Sequence, residues 1–131
     1  MNIEILHPEL SYKVTGLCFQ IHHELGRFCR EIQYSDRLHE LLLESGLDFD
    51  REFNLRKARE NSPKGNRVDF LIEGKIIVDI KAKKFITKED YVQMQRYLKS
   101  ANIKLGMIIN FRSTYLKPKR IINIDYDKDN S

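Results

Sequence analysis

The spacing of apolar residues predicts two helices in the first third of the chain. The first begins near Pro8, which suits a first helical turn, and Gly26 ends it as a left-handed cap. The second covers residues 30–45. Glu31 precedes the apolar Tyr34 by three residues, and this spacing places Glu31 on the stripe that faces inward. The apolar positions of the two stripes are Val14, Leu17, Cys18, Ile21 and Leu25, followed by Tyr34, Leu38, Leu41 and Leu42.

The middle of the chain changes to the patterns of β-strands. Residues 49–58 and 67–72 alternate between apolar and polar side chains. Residues 75–82 are nearly continuously apolar and rich in β-branched side chains, as in a central strand that is buried on both faces. Turn-forming residues fill positions 61–66, and the pair at positions 73–74 forms a tight turn. The pattern therefore predicts three consecutive strands, the last two of them joined as a hairpin.

Helical spacing returns after the third strand. Thr87 caps this helix, with Asp90 as the reciprocal capping partner, and the helix ends near Ser100. Two further strands are predicted at residues 104–111 and 120–124. The inward positions of the helix are Tyr91, Met94 and Leu98. The order α-α-β-β-β-α-β-β predicts an α/β fold, more closely an α+β sandwich with a mixed β-sheet flanked by helices.

Length and composition favour a single intracellular domain. The 131 residues suit one domain spanning 1–131, with a polar and flexible tail at 125–131. Cys18 and Cys29 are too few for a disulfide framework and indicate a reducing compartment. The chain shows neither a signal peptide nor an apolar run long enough to span a bilayer. We therefore expect a cytoplasmic protein without membrane contact.

The net charge of +4 is unevenly distributed along the chain. Between residues 75 and 120, twelve Lys or Arg side chains stand against three acids, whereas residues 1–66 carry nine bases and eleven acids. A basic half of this kind favours a polyanionic partner such as nucleic acid. A lysine-rich surface that only keeps the protein in solution is the alternative.

The candidate chemistry is carried by acids within the apolar strands. Asp79 interrupts the central strand, and Lys81 leaves the same face of that strand two residues later. Asp69 lies on the other strand of the hairpin, and it shares a face with Asp79 only if the strand register allows it. An unpaired buried carboxylate is costly, and a bound metal ion removes that cost. The alternative is a buried ion pair between Lys81 and one of the two aspartates.

Two carboxylates and a lysine in this arrangement suit the hydrolysis of a phosphodiester. Carboxylate oxygens bind Mg²⁺ or Mn²⁺, and the metal polarises the phosphate and lowers the pKa of its bound water. Lys81 then orients that water or neutralises the charge that develops on the phosphate. His22, on the first helix, is expected to make structural hydrogen bonds rather than to act in the site.

The chain resembles the GxxExxY proteins, small members of the PD-(D/E)XK nuclease superfamily, over roughly residues 9–124. The segments that carry the resemblance are IHHELG at 21–26, REIQY at 30–34, RVDFLIEGKIIVDIKA at 67–82, QMQRYL at 93–98 and GMIINF at 106–111. The chain departs from the family at Phe28, three residues before Glu31, where the glycine of the family's name is expected.

The resemblance implies a restriction-endonuclease-like core and assigns roles to individual residues. Asp69 becomes the first motif acid, and Asp79 and Lys81 become the acid and the lysine of the D-x-K motif. Glu31 becomes a helical acid that reaches the same centre, while Gln93 is the polar residue of the following helix. The implied metal ligands are thus Asp69, Asp79 and Glu31, and the implied catalytic set adds Lys81 and Gln93.

We therefore expect a nuclease that uses Mg²⁺ or Mn²⁺ to act on DNA or RNA. The expected nucleic-acid contacts are Lys83, Lys84, Lys88, Tyr97 and Arg112. Two alternatives use the same fold. One is a domain that binds nucleic acid without cutting it, and the other is a protein-interaction module that forms a homodimer.

Overall fold

A computed structural model describes residues 7–54 and 67–127 of the chain. Its elements follow the predicted order α-α-β-β-β-α-β-β, so the predicted fold class is confirmed. They are α1 (Pro8–Leu25), α2 (Glu31–Ser45), β1 (Phe49–Asn54), β2 (Arg67–Ile72), β3 (Ile76–Lys81), α3 (Lys88–Ala101), β4 (Leu105–Asn110) and β5 (Lys119–Ile122).

The five strands form one mixed sheet in the order β1-β2-β3-β4-β5. Neighbouring strands are antiparallel except β3 and β4, which are parallel. A parallel pair requires a crossover connection, and α3 provides it. The central position of β3 explains its continuous apolar sequence, because all of its residues up to Ile80 are buried.

Helices cover both faces of the sheet. The residues of α1 and α2 form one core with alternate side chains of β2, β3 and β4, among them Phe70, Val78 and Met107. The other face packs against α3, where Met94 and Leu98 contact a second core that includes Ile77. None of the helices in the described residues is long and apolar enough to cross a membrane.

The hairpin turn sets the register of β2 against β3. Glu73 and Gly74 both have positive φ, at 54° and 64°, and the Lys75 N–H donates to the Ile72 carbonyl at 2.9 Å. Positive φ at both central residues is the signature of a type I′ turn. Lys75 is a third residue of this loop, so Ile72 pairs with Ile76, and every earlier pair in the ladder follows from that one.

Several predicted details differ from the structure. Gly26 has φ 75° and ψ −161°, so it ends α1 with a positive φ but outside the left-handed helical region. Tyr91 is 37% exposed rather than buried, because Asp90 takes the inward position in the first turn of α3. Positions 55–58 of the first predicted strand, the turn at 61–66 and residues 128–131 of the tail lie outside the described residues.

Candidate metal and nucleic-acid site

The two strand aspartates face each other across the hairpin. Phe70 pairs with Val78, and the same register continued by one residue places Asp69 opposite Asp79. Side chains at opposed positions of antiparallel strands lie on the same face, with Cβ atoms about 4.5–5.5 Å apart. The two carboxyl groups are within hydrogen-bonding reach of each other. Asp79 projects on the face of the sheet that α3 covers, as Ile77 does two residues before it. Asp69 also lines a pocket with Glu31 and Arg51.

Proximity to a second carboxyl group changes the titration of Asp69. Burial and the hydrogen bond with Asp79, followed by the charge of Asp79, raise the pKa of Asp69 to about 8. The Ile80 N–H donates to Asp69 Oδ2 at 2.6 Å and opposes this rise by favouring the ionised form. The pair therefore holds a proton in the absence of another cation.

Asp79 is 6% exposed, and Lys81 is its nearest cation. The Lys81 Nζ lies 3.1 Å from Asp79 Oδ2, yet this buried oxygen accepts no hydrogen bond of good geometry from the described residues. Burial alone would lower the pKa of Lys81, but the charge and hydrogen bonding of Asp79 outweigh burial and raise it. Lys81 is therefore a fixed cation beside an oxygen with spare acceptor capacity.

Asp90 is a buried acid of the site that the sequence indicated only as a helix cap. Its carboxylate accepts the Thr87 N–H at 2.7 Å, as a capping residue should. The same carboxylate lies 2.6 Å from the Lys83 Nζ and 3.8 Å from the Lys81 Nζ. Burial opposes ionisation, but the hydrogen bonds from Lys83 and Thr87 lower the pKa of Asp90. Its inward position, four residues before the buried Met94, was the available sequence signal.

Gln93 reaches the lysine of the centre from α3. The Lys81 Nζ donates to Gln93 Oε1 at 3.5 Å. Both side chains line an open cleft of about 560 Å³ that also includes Lys88 and Arg96. Arg96, which the sequence analysis did not single out, adds a second exposed cation to this cleft. Glu89 and Asp90 also line the cleft, so its three cations stand against two acids, and Lys81 connects it to Asp79.

Glu31 occupies the first turn of α2 and is exposed, so the inward position expected from its spacing is wrong. It lines a pocket of about 210 Å³ together with Asp69 and Arg51. Its charge contributes to the raised pKa of both Asp69 and Lys81, so the three groups interact electrostatically. Within residues 7–54 and 67–127, however, no three His, Cys, Asp or Glu side chains are grouped to hold a metal ion.

The other expected nucleic-acid contacts differ in their exposure. Lys84 and Lys88 are exposed, whereas Lys83 is bound to Asp90. Tyr97 is 3% exposed, so little of its side chain is open to a ligand. Burial, followed by the charge of Asp79, raises the pKa of Tyr97. Arg112 lies in the loop after β4.

His22 has the structural role expected of it. Its Nε2 lies 2.9 Å from the Ser113 carbonyl oxygen, which ties the end of α1 to the loop after β4. This contact joins two segments near the end of the sheet at which β3 and β4 finish. His22 therefore supports the loops around the acidic centre without belonging to it.

The donor set fits a hard divalent cation. Asp69 and Asp79 offer carboxylate oxygens, which are the ligands that Mg²⁺ and Mn²⁺ prefer. Their mutual repulsion and the unsatisfied Asp79 Oδ2 are features that a cation between them would relieve. Two carboxylates leave coordination positions for water and phosphate oxygens, as is usual for Mg²⁺ sites.

Comparison with known proteins gives one result at the level of the family. No curated protein and no solved structure matches the chain. Residues 8–122, from the first residue of α1 to the last of β5, match the sequence profile of the PD-(D/E)XK nuclease superfamily. That match covers both strands of the hairpin, with the D-x-K motif at Asp79 and Lys81. The chain belongs to the PD-(D/E)XK nuclease superfamily.

Proposed function

We propose that the chain hydrolyses phosphodiester bonds in nucleic acid with Mg²⁺ or Mn²⁺ held by Asp69 and Asp79. One observation carries the proposal: the half-buried Asp69 and the buried Asp79 face each other, and Lys81 lies 3.1 Å from the unsatisfied Asp79 Oδ2. A purely structural ion pair would need one acid for one lysine. Burial, followed by the hydrogen bond and the charge of the second acid, raises the pKa of Asp69 to about 8, and a divalent cation accounts for the presence of that second acid.

Each residue then has a defined task. When bound by the two aspartates, the metal supplies a Lewis acid for the phosphate and a water of lowered pKa. Lys81 neutralises negative charge on the phosphate oxygens as it develops in the transition state. Gln93 orients the Lys81 ammonium through the 3.5 Å hydrogen bond, and Asp90 holds the same ammonium from the other side. Gln93 and Asp90 are therefore positioning residues.

Substrate phosphates enter through the 560 Å³ cleft beside α3. Lys88 and Arg96 line this cleft and are exposed, so both are able to contact phosphates on either side of the scissile bond. Lys84, in the loop between β3 and α3, is exposed and adds positive charge beside the cleft.

We assign the chain more closely to the GxxExxY group and propose Glu31 as a third metal ligand. Its charge acts on Asp69 and Lys81, and it shares a pocket with Asp69. An exposed glutamate at the first turn of a helix has free rotamers, so a metal ion between the aspartates would draw it inward. Glu31→Gln should then weaken Mn²⁺ binding less than Asp79→Asn does.

The test is a panel of end-labelled single- and double-stranded DNA and RNA incubated with Mn²⁺, with Mg²⁺ or with EDTA. Cleavage should require the metal and should disappear in Asp79→Asn. Asp50→Asn, an exposed aspartate on β1, is the matched control and should cleave as the wild type does. Cleavage that survives in EDTA or in Asp79→Asn would overturn the proposal.

A non-cutting nucleic-acid-binding domain is the second candidate. The Lys81–Asp79 and Lys83–Asp90 ion pairs favour it, because they neutralise much of the acidic centre without a metal. This candidate gains support if the panel shows salt-dependent binding with no cleavage under any metal. It is rejected if Mn²⁺-dependent cleavage is lost in Asp79→Asn.

A further inference from the structure

The loop between α1 and α2 presents an aromatic ring to solvent. Phe28 is 73% exposed, so most of its ring is open. The Arg27 and Arg112 guanidinium carbons lie 4.8 Å and 5.1 Å from the centroid of that ring. Arg27 Nε also donates to the Arg112 carbonyl at 2.8 Å, which fixes the two arginines relative to each other. We call Arg27, Phe28 and Arg112 the Phe28 platform.

Hydrogen bonds hold the loop rigidly in this outward conformation. The Tyr34 hydroxyl donates to the Gly26 carbonyl at 2.7 Å and accepts the Cys29 N–H at 3.1 Å. The Tyr34 ring stacks on Phe111, with centroids 4.3 Å apart and planes 9° from parallel. Phe28 thus lies between two residues that are tied to one buried tyrosine. Its exposure is built into the fold rather than left to a free loop.

A single exposed phenylalanine is common in proteins and calls for no explanation by itself. The platform differs because of its charges. Within residues 7–54 and 67–127, neither Arg27 nor Arg112 is paired with a carboxylate. A largely exposed aromatic ring in contact with two guanidinium groups that no carboxylate neutralises suits a ligand that has both flat rings and negative charge. Nucleic acid offers both in every nucleotide.

The platform lies at the same end of the sheet as the acidic centre. Lys81 pairs with Asn110 in the parallel register, and the Phe111 N–H donates to the Lys81 carbonyl at 2.9 Å. Arg112 is the next residue of that loop. On the other side, Glu31 follows Phe28 by three residues and lines the Asp69 pocket. A strand that crosses the acidic centre therefore meets the platform within a few nucleotides.

We infer that the Phe28 platform stacks an unpaired nucleobase, and that the substrate of the acidic centre is single-stranded where it contacts this platform. The inference rests on the proposed function and adds the class of substrate. Bases within a duplex are already stacked on one another, so an exposed ring at the protein surface reaches only an unpaired base. Phe28 replaces the glycine expected in the GxxExxY pattern, so this preference belongs to this chain's own sequence.

The loop between β3 and α3 carries a second exposed aromatic ring next to a basic side chain. Phe85 follows β3 and is 69% exposed, with the Lys84 Nζ 5.7 Å from its centroid. The two aromatic residues thus belong to the loops that flank the carboxyl ends of β3 and β4. Phe85 provides an independent position at which to test stacking.

The experiment measures binding by fluorescence anisotropy, with Ca²⁺ in place of Mg²⁺ to suppress cleavage. Three labelled probes of about 12 nucleotides are compared: a single strand, a hairpin duplex and a single strand of abasic sites. The wild type should bind the base-bearing strand about 5- to 100-fold more tightly than the abasic strand, as expected for one or two stacked bases. Phe28→Ala should lose that preference, and Phe28→Tyr should keep it.

Tyr12→Ala is the matched control, because Tyr12 is 83% exposed and lies near the opposite end of α1, about 20 Å away along the helix. Phe28→Leu keeps apolar bulk without the ring and should behave as Phe28→Ala does. Equal affinity for the base-bearing and abasic strands, a preference for the duplex, or an unchanged preference in Phe28→Ala would overturn the inference. Mn²⁺-dependent cleavage that is lost in Asp79→Asn would still support the proposed function in each of these cases, so the two failures are distinguishable.

Discussion

The two faces of the sheet are built from the same strands but on different principles. Toward α1 and α2, alternate residues such as Phe70, Val78 and Met107 pack into a continuous apolar core. Toward α3, the same strands place Asp79 and Lys81 next to the apolar contacts. The first face is apolar, whereas the second face also buries the carboxyl groups of Asp79 and Asp90 beside Lys81. Because buried charged groups lose their hydration, we expect the α3 face to contribute less stability than the apolar face.

The largest expected effect is on the apolar face. Phe111→Ala removes a fully buried ring that stacks on Tyr34, so the free energy of unfolding should fall by about 3–5 kcal/mol. Urea denaturation measures this loss. Phe85→Ala, at an exposed ring, should change the value by no more than about 0.5 kcal/mol. Similar losses at the two positions would show that the described core does not carry the stability.

The charged face should respond in activity rather than in stability. Asp79→Asn and Lys81→Ala should each reduce Mn²⁺-dependent cleavage at least about 100-fold. In the metal-free protein, Asp79→Asn also removes carboxylate repulsion, so its melting temperature should equal or exceed that of the wild type. Initial rates and thermal melts measure the two effects. An Asp79→Asn protein that melts at a lower temperature than the wild type and still cleaves nucleic acid would contradict the expected difference between the two faces.

The raised pKa of Asp69 makes the stability of the metal-free protein depend on pH. The folded chain keeps the proton up to about pH 8, whereas the unfolded chain releases it near the ordinary value of 3.8. Unfolding between these values releases a proton, so the contribution of Asp69 to stability falls as the pH rises from about 4 to about 8. Melts in EDTA should show this slope in the wild type.

Asp69→Asn should remove most of this dependence of stability on pH. Asp50→Asn, at an exposed aspartate of β1, should retain it. In the wild type, Mn²⁺ should reduce the loss of stability with rising pH, because ionised carboxylates bind the metal. A slope that is identical in the wild type and in Asp69→Asn would mean that the carboxyl pair does not share a proton.

The smallest effect concerns the basic surface beyond β3. Each phosphate contact that is lost should lower the slope of log affinity against log salt by about one unit or slightly less. Lys84→Ala should show this change, whereas Lys83→Ala should show less of it, because Lys83 is already bound to Asp90 at 2.6 Å. Anisotropy across a salt series with Ca²⁺ measures both. An unchanged slope in a variant that carries both Lys83→Ala and Lys84→Ala would leave these lysines with no role in binding.

The sequence predicted the fold well because periodicity and strong capping residues mark its elements. The predicted strand at residues 67–72 has the bounds of β2, and Thr87 caps α3 together with Asp90. Register was not predictable from alternation alone. It depends on the positive φ of Glu73 and Gly74, a property of the turn that pairs Ile72 with Ile76 and so brings Asp69 opposite Asp79.

Long-range contacts between charged residues could not be predicted from the sequence either. Asp90 satisfies the pattern of a helix cap, and only the packing of α3 on the sheet shows that it also holds Lys81 and Lys83. Glu31 fits an inward stripe by spacing, yet it sits in the first helical turn, where the sheet does not cover it. The predicted convergence of Glu31 with the two aspartates therefore stays a prediction.

Mn²⁺ binding without nucleic acid tests most directly whether the aspartate pair is a metal site. Calorimetric titration at pH 8, with thermal melts of the same samples, compares the wild type with Asp69→Asn, Asp79→Asn and Asp50→Asn. The wild type and Asp50→Asn should bind the ion and melt at a higher temperature with it, whereas both site variants should lose the binding and the shift. Equal Mn²⁺ binding by the wild type and Asp79→Asn would contradict the central claim.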